Sequence, residues 1–268
     1  MSAPRQQRSD RPLYNRLLLV EAQRDRLDIV LVSPRNPLNI GAAARAMANF
    51  GFVHLTVVAP YEPHWREAQS AVGAEDLLQN ARRTQCLAEA VAGCTLVVGT
   101  GTLTHRKPEQ PVVPLPELPS HIQRALDANG RAALVFGPEK RGLTRDDLSW
   151  CHLLVEIPTH PRQPSMNLGQ AVAVCLYELA IRLHAPRPTE ADAHPHPQAS
   201  SAQLDLLSEV IDQLMLASDY SPLQMREANR HDVRLLLRRL AWTQPDARRA
   251  LGFFRRMLPR LKRAAPGS

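Results

Sequence analysis

Short apolar runs that alternate with helical segments constrain the fold of this chain more than any other feature. Each run is four to six residues long, is rich in Val, Ile and Leu, and shows no regular polar–apolar alternation. Strands of this kind are covered on both faces, as in parallel sheets whose strands are joined by helices. The sequence therefore predicts an α/β domain with a mostly parallel sheet. The predicted strands are Leu27–Val32, Leu55–Ala59, Thr95–Val98, Ala132–Phe136 and Leu153–Ile157.

Helical patterns fill the intervals between these runs and continue beyond them. Asn39 is a plausible N-cap for an alanine-rich helix that ends at Phe50, and a long helix is predicted from about Asn167 to His184. Gly51 and Gly130 stand where C-caps would be. Residues 185–202 hold four prolines and no apolar periodicity, which is typical of a linker. We predict a basic flexible arm at 1–26, the α/β domain at 27–184, the linker at 185–202 and a small, basic, all-helical extension at 203–268.

The distribution of charge indicates a polyanionic partner. The chain carries a formal net charge of +7. Residues 226–263 hold 12 basic and 3 acidic side chains, so the rest of the chain is slightly acidic. Such a basic segment is typical of proteins that bind nucleic acid. Aromatic residues make up only 4% of the chain, which favours contacts to the RNA backbone over base stacking.

Several protein classes are excluded or disfavoured by the sequence. No run approaches 18 uncharged apolar residues, and the N-terminal segment has no apolar core, so we expect neither a membrane span nor a secretory signal. Four scattered cysteines without CxxC spacing fit a reducing, cytoplasmic location and no cysteine zinc site. No metal is expected. The motifs GxxxxGK[ST], GxGxxG, HExxH and GxSxG are absent.

Three segments that each follow a predicted strand have a composition that is unusual for residues with a purely structural role. They are Asn36–Met47, Phe136–Leu143 and Ile157–Val172. Taken singly, each fits a structural role: a capped and tightly packed helix, a Gly-Pro turn, and a proline-fixed loop before a helix whose cap is Ser165 or Asn167. Ligands of open α/β sheets, however, bind at the carboxyl ends of strands, where all three segments lie.

In this order, the three segments resemble the three motifs of the SpoU/TrmH branch of the SPOUT RNA methyltransferases. Every position of N-x-G-x-x-x-R, F-G-x-E-x-x-G-L and I-P…S-[ML]-N is matched, and the resemblance spans about Asp28 to His184. It implies a trefoil-knotted parallel-sheet domain, S-adenosyl-L-methionine as the methyl donor, and a homodimer. The reaction that it implies is methylation of a ribose 2′-hydroxyl in RNA.

The resemblance also assigns the residues of the site. It places catalysis at Arg45, Asn39, Glu139, Ser165 and Asn167. It places the cofactor at Thr100, Gly101, Thr102, Gly137, Ile157, Pro164, Ser165 and Met166. Two roles stay open for Arg45: the family's general base, or a cation that orients RNA phosphate and stabilises the developing oxyanion.

The third motif and the helical extension are similar to the branch of the family that methylates nucleotide 32, at the start of the tRNA anticodon loop. Methylation of rRNA or of another tRNA site is an alternative, and so is a non-catalytic, knotted RNA-binding protein. Some of the basic side chains of the extension are expected simply to face solvent. The residues assigned to RNA contact are Arg45, Arg234, Arg238, Arg239, Arg248, Arg249, Arg255 and Arg256.

Overall fold

Seven parallel strands form one sheet in the part of the chain that the structure describes. The structure is a computed structural model, and it describes residues 21–61, 65–101, 108–183 and 196–264. The strands are β1 (Leu27–Val32), β2 (His54–Val58), β3 (Arg82–Thr84), β4 (Leu96–Thr100), β5 (Val112–Pro114), β6 (Ala132–Phe136) and β7 (Leu153–Glu156). Their order across the sheet is β3-β2-β1-β6-β4-β7-β5. The prediction of a parallel α/β domain is confirmed.

Helices cover both faces of this sheet and continue after it. They are α1 (Glu21–Arg24), α2 (Pro37–Phe50), α3 (Glu75–Gln79), α4 (Leu87–Val91), α5 (Leu118–Asp127), α6 (Arg145–Ser149), α7 (Leu168–Arg182), α8 (Ser201–Ala217), α9 (Arg226–Arg239) and α10 (Gln244–Ala264). Short 3-10 turns occur at Trp65–Glu67, Leu115–Glu117 and Leu223–Met225. None of the described helices is long and apolar enough to cross a membrane.

The five predicted strands are present, with ends shifted by at most two residues. The sequence did not indicate β3 and β5, which lie at the two edges of the sheet and are three residues long. Arg82 and Arg83 of β3 are exposed. An edge strand with exposed side chains needs no apolar run, and so it leaves no strong pattern in the sequence.

Alternate side chains of β1 enter two cores, one on each face of the sheet. Ile29 and Leu31 belong to the larger core, with residues of α2, α5 and α7. Val30 and Val32 belong to the smaller core, with residues of α4 and α6. Since both faces are buried, most positions of these central strands are apolar, which explains the runs without regular alternation.

The ends of α2 and α5 differ from two of the predicted caps. Asn36, not Asn39, caps α2: its side chain accepts a hydrogen bond from the Leu38 N–H at 2.9 Å, and Pro37 takes the first helical position, where no N–H is needed. The Gly51 C-cap is confirmed, with φ 74°. After α5, Asn129 adopts the left-handed conformation instead of Gly130, at φ 58°. Gly130 is required for packing, because a Cβ there would lie 2.2 Å from Thr95 Oγ1.

The described ends of the predicted arm and linker are ordered. Residues 1–20 and 184–195 lie outside the described residues. Gln23 in α1 is nevertheless buried, which contradicts a fully flexible arm. The helical extension begins at Ser201, earlier than predicted, because Ser200 and Gln203 form a capping box. Its first turn joins the sheet domain, since the Ser201 N–H donates to the Cys94 carbonyl at 2.9 Å.

A cluster around Trp150 fixes α9 against the sheet domain. The guanidinium groups of Arg234 and Arg238 lie 4.2 Å and 4.9 Å from the centre of the Trp150 ring. Arg238 also donates to the Trp150 carbonyl at 3.1 Å and to Asp205 at 2.7 Å, and its side chain is 0% exposed. Burial raises the pKa of Asp205, and the positive charge of Arg238 opposes this rise. We call Trp150, Asp205, Arg234 and Arg238 the docking clamp.

Replacing the buried arginine of the docking clamp should destabilise the protein strongly. Arg238→Ala leaves the Asp205 carboxylate partly buried without its partner, and we expect the free energy of unfolding to fall by about 3 kcal/mol. Chemical denaturation followed by circular dichroism measures this value. Arg255→Ala is the matched control, since Arg255 is exposed, and we expect a change within about 0.5 kcal/mol. A loss below about 1 kcal/mol for Arg238→Ala would show that the clamp does not hold α9 in place.

Candidate active site and nucleic-acid interface

The carboxyl ends of three adjacent strands bring the predicted cofactor segments together. β6, β4 and β7 are neighbours in the sheet and run parallel. Gly137 follows β6, Gly101 follows β4 and Ile157 follows β7. Residues far apart in the sequence therefore meet at one end of the sheet, which is where an open α/β fold binds ligands.

Glu139 is the centre of a hydrogen-bond network beside these strand ends. Its carboxylate accepts hydrogen bonds from the backbone N–H groups of Arg35 and Asn36, both at 3.2 Å. It also accepts one from the Asn39 side-chain amide at 2.8 Å. Glu139 thus joins the turn after β6 to the start of α2.

Asn39 extends the same network to α7. The Asn167 amide donates to Asn39 Oδ1 at 2.9 Å, while Asn167 Oδ1 caps α7 by accepting from the Gly169 N–H at 2.9 Å. Of the two predicted caps of this helix, the structure thus selects Asn167 over Ser165. One polar residue from each of the three sequence motifs lies in this single chain of contacts.

The hydrogen bonds to Glu139 favour its ionised form. Partial burial alone would raise the pKa of Glu139, but the Asn39 amide and the backbone donors hold that pKa below its ordinary value. A carboxylate with three donors around it is suited to holding other groups in place. It is poorly suited to accepting a proton during a reaction.

Small residues allow α2 and α7 to approach closely around this network. A Cβ on Gly169 would lie 2.6 Å from the Ala42 Cβ, and one on Gly41 would lie 2.2 Å from Ser70 Oγ. Both glycines are therefore required by packing within the protein. The sequence predicted a close approach at Gly41 but did not identify its partner, because Ser70 lies in an irregular segment.

Arg45 lies on α2, six residues after Asn39, and its side chain is exposed. It makes no hydrogen bond or ion pair with any residue of 21–61, 65–101, 108–183 or 196–264. Ser165, in the loop before α7, is also exposed. The structure thus places a cation and a hydroxyl group where both can reach a molecule outside the chain.

The predicted cofactor residues differ in what they can offer a ligand. A Cβ on Gly101 would meet no atom of the described residues within 4 Å, so these residues leave space beside the end of β4. The Thr100 hydroxyl is turned away, because it is buried and donates to the Val135 carbonyl at 3.0 Å. A Cβ on Gly137 would lie 2.2 Å from the Leu143 nitrogen, so this glycine accommodates the protein's own loop. Thr102 lies outside the described residues.

The remaining predicted cofactor residues lie after β7 and before α7, and two of them are apolar. Ile157 and Met166 are partly buried, and Ile157 packs against the larger core. The Pro164 carbonyl accepts from the Thr159 hydroxyl at 3.2 Å, which holds the loop before α7. Open space beside Gly101 together with partly buried apolar side chains fits the adenosine part of S-adenosylmethionine. Within the described residues, no group of three or more His, Cys, Asp or Glu side chains could hold a metal ion.

The arginines of α9 are occupied within the protein. All five form an ion pair with an acidic residue, at distances from 2.7 Å to 4.0 Å. Assigning Arg234 and Arg238 to RNA is therefore wrong, since they hold α9 through the docking clamp. Arg239 is half-exposed and lies 4.0 Å from Glu109, so its charge is also partly balanced.

Most cations of α10, unlike those of α9, have no acidic partner among the described residues. The helix carries seven cations and a single acidic residue, Asp246, and all seven are exposed. Only Arg249 has an ion pair to a described residue, at 3.6 Å and within the same helix. The exposed cations are Arg248, Arg249, Arg255, Arg256, Arg260, Lys262 and Arg263, of which the sequence analysis named the first four. The α10 basic face, as we call this set, is the part of the extension that is free to bind a polyanion.

Known proteins resemble this chain in both sequence and structure. Residues 26–177 match the model of the SpoU rRNA Methylase family. Over 158 residues the chain is 43% identical to the tRNA (cytidine/uridine/adenosine-2'-O-)-methyltransferase TrmJ of Pseudomonas aeruginosa, a match that covers 59% of this chain and 61% of that protein. Over 222 residues it is 35% identical to the tRNA (cytidine/uridine-2'-O-)-methyltransferase TrmJ of Pectobacterium atrosepticum, which covers 81% of this chain and 88% of that protein.

The crystal structure of TrmJ from Z. mobilis ZM4 superposes with a TM-score of 0.74 at 29% identity, and the match covers 86% of this chain and 98% of that one. The matched residues 26–177 contain all three motifs that meet at Glu139, and they make up more than half of the chain. The resemblance inferred from the motifs is thereby confirmed: this chain belongs to the SpoU rRNA methylase family.

Proposed function

We propose that this protein methylates the 2′-hydroxyl of a ribose in tRNA, with S-adenosyl-L-methionine as the methyl donor. The network that joins Glu139, Asn39 and Asn167 beside the exposed Arg45 carries this proposal. Two relatives that are 43% and 35% identical are tRNA 2′-O-methyltransferases, and the second match extends well beyond the residues of the family model. The most suitable target is nucleotide 32, at the start of the anticodon loop. A tRNA substrate also agrees with the cytoplasmic location that the sequence favours.

The residues at the strand ends would hold the cofactor. When bound, S-adenosylmethionine supplies a methyl group on a positively charged sulfur. Backbone groups of Thr100 and Gly101 border the open space there, and Ile157 and Met166 offer apolar surface to the adenine ring. Pro164, Ser165 and Thr102 belong to the same predicted set. The trefoil knot that the resemblance implies stays a prediction.

Arg45 acts on the RNA in this proposal. An arginine side chain stays protonated in proteins, so Arg45 binds phosphate and stabilises the negative charge that develops on the ribose oxygen. Ser165 and Asn167 lie at the start of α7 and help to orient the ribose. Glu139 is a positioning residue, because its oxygens already accept three hydrogen bonds that fix α2 and Asn39.

Binding of tRNA is assigned to Arg45 and to the α10 basic face. Of the predicted arginines of the extension outside the docking clamp, Arg239 is partly balanced by Glu109. The other four, Arg248, Arg249, Arg255 and Arg256, would contact phosphates, with Arg260, Lys262 and Arg263 beside them. A homodimer is also proposed. Leu38 on α2 and Val174 and Tyr177 on α7 expose apolar surface on the two helices that carry the network, and a second copy would cover it.

A methyl-transfer assay with labelled S-adenosylmethionine tests the proposed function. Unmodified tRNA and rRNA are offered separately, and the modified nucleotide is mapped. We expect a 2′-O-methyl group at position 32 of tRNA. Transfer to rRNA would favour the second candidate, an rRNA methyltransferase, which the name of the SpoU rRNA Methylase family suggests. Cofactor binding without transfer to either RNA would refute a tRNA substrate, and absence of cofactor binding would leave a non-catalytic RNA-binding protein.

Removing the Arg45 side chain should abolish most of the activity without affecting cofactor binding. We expect Arg45→Ala to lower kcat by about 100-fold or more, which is typical of losing one donor aimed at developing negative charge. Steady-state kinetics measure kcat, and isothermal titration measures cofactor binding. Arg45→Lys keeps the charge but not the forked donors, so we expect intermediate activity.

Arg83→Ala is the matched control for Arg45, since Arg83 is an exposed arginine on edge strand β3. Normal turnover by Arg45→Ala with cofactor bound would remove Arg45 from the catalytic set.

Replacing Glu139 by glutamine should lower both stability and kcat at neutral pH. The glutamine NH2 group would face a donor, Asn39 or a backbone N–H, so one contact is lost and α2 is less well positioned. We expect the free energy of unfolding to fall by about 1 kcal/mol at pH 7, a value reduced by solvent exposure. Because the pKa of Glu139 is lower when folded, its stabilisation is present above the ordinary carboxyl range and is lost as pH falls through the folded pKa.

The unfolding curves of the wild type and Glu139→Gln should therefore converge in acid. Urea denaturation at pH 7 and at a series of acidic pH values tests this expectation, with the exposed Glu117→Gln as the control. A difference between the two proteins that does not change with pH would mean that ionisation of Glu139 does not hold the network.

A further inference from the structure

One large aromatic side chain interrupts the α10 basic face. Phe253 is 61% exposed, while the helix buries its apolar side on α8 through other residues. Arg249, Phe253, Arg256 and Arg260 follow one another at spacings of four, three and four residues. They therefore lie along one side of the helix. A phenylalanine in this position contributes little to the core.

The surroundings of Phe253 leave its ring open on the outer side. Its ring centre lies 5.6 Å from that of Phe254, at an interplanar angle of 57°, so the inner edge is braced by a partly buried neighbour. The adjacent Gly252 is exposed, and a Cβ on it would meet nothing within 4 Å. A flat group could reach the Phe253 ring without displacing atoms of the described residues.

The charge of the α10 basic face indicates which kind of molecule can bind there. Seven cations beside one acidic residue attract a polyphosphate and repel a second copy of the same helix. Along the helix axis, Arg249 and Arg256 lie about 6 Å and 4.5 Å from Phe253, on its two sides. A nucleotide whose base stacks on Phe253 would thus have cations near the phosphates that flank it.

We propose that the α10 basic face binds an unpaired segment of RNA, with Phe253 stacking on one base and Arg249 and Arg256 contacting the flanking phosphates. Bases inside a duplex are already stacked on each other, so only an unpaired base can lie on the ring. That this RNA is part of the tRNA substrate rests on the proposed function. The contact refines the expectation that charge alone binds the RNA.

Binding measurements with two RNA probes test this contact. The probes are a single-stranded oligonucleotide that contains 2-aminopurine and a blunt RNA duplex, with unmodified tRNA as a third ligand. For Phe253→Ala we expect about tenfold weaker binding of the single strand and of tRNA, unchanged binding of the duplex, and loss of 2-aminopurine quenching. Phe253→Trp should restore both affinity and quenching.

The salt dependence separates stacking from charge. Phe253→Ala should leave the slope of log affinity against log salt unchanged, whereas Arg256→Ala should reduce it by about one ion. Leu223→Ala is the control, since Leu223 is an exposed apolar residue outside α10. Circular dichroism confirms that each variant is folded.

Equal affinity of the wild type and Phe253→Ala for the single strand would overturn the proposal. So would an equal loss on the duplex, or a change in oligomeric state on replacing Phe253, which would identify a contact between copies. Methyl transfer at saturating tRNA is measured in parallel. A wild-type protein that methylates no tRNA refutes the proposed function, while the oligonucleotide binding still decides the role of Phe253.

Discussion

The carboxylate of Glu139 is the interaction on which the rest of the site depends. Three hydrogen bonds tie it to the start of α2 and to Asn39, and Asn39 in turn is held by Asn167 at the start of α7. Two helices and one turn that are distant in sequence are thus held in one arrangement. Arg45 lies on α2, so the hydrogen bonds of Glu139 to the start of α2 also help to fix the position of this exposed cation.

The sequence predicted the elements of the fold better than their ends. Buried strands such as β6 are apolar throughout, because both faces are covered, and this pattern is visible without a structure. Asn39 looked like a helix cap, yet Asn36 has that role and frees Asn39 to bind Glu139. Local sequence allows either asparagine to cap the helix, and the choice depends on a contact with a residue a hundred positions away.

The candidate site was predictable only as a set of residues, not as an arrangement. The motifs named Asn39, Glu139 and Asn167, and the structure joins them. Close approaches such as Gly169 against Ala42 were out of reach, since the partner of a glycine cannot be read from its own segment. Gly137 shows a second limit of sequence analysis. A glycine that is predicted to contact a ligand can instead be required by the packing of the protein's own loop.

The basic extension shows why the number of arginines does not measure the capacity to bind RNA. In α9 each arginine faces an acidic residue, so its charge stabilises the protein and is largely cancelled outside it. In α10 the same residue type faces solvent with hardly any acidic neighbours, so its field is reduced by salt and little by the protein itself. The two helices differ in what holds them: α9 is fixed to the sheet domain through the docking clamp, whereas α10 packs on α8 and presents its cations to solvent. Charge must therefore be counted helix by helix, because only cations without a close acidic partner are fully available to an RNA phosphate.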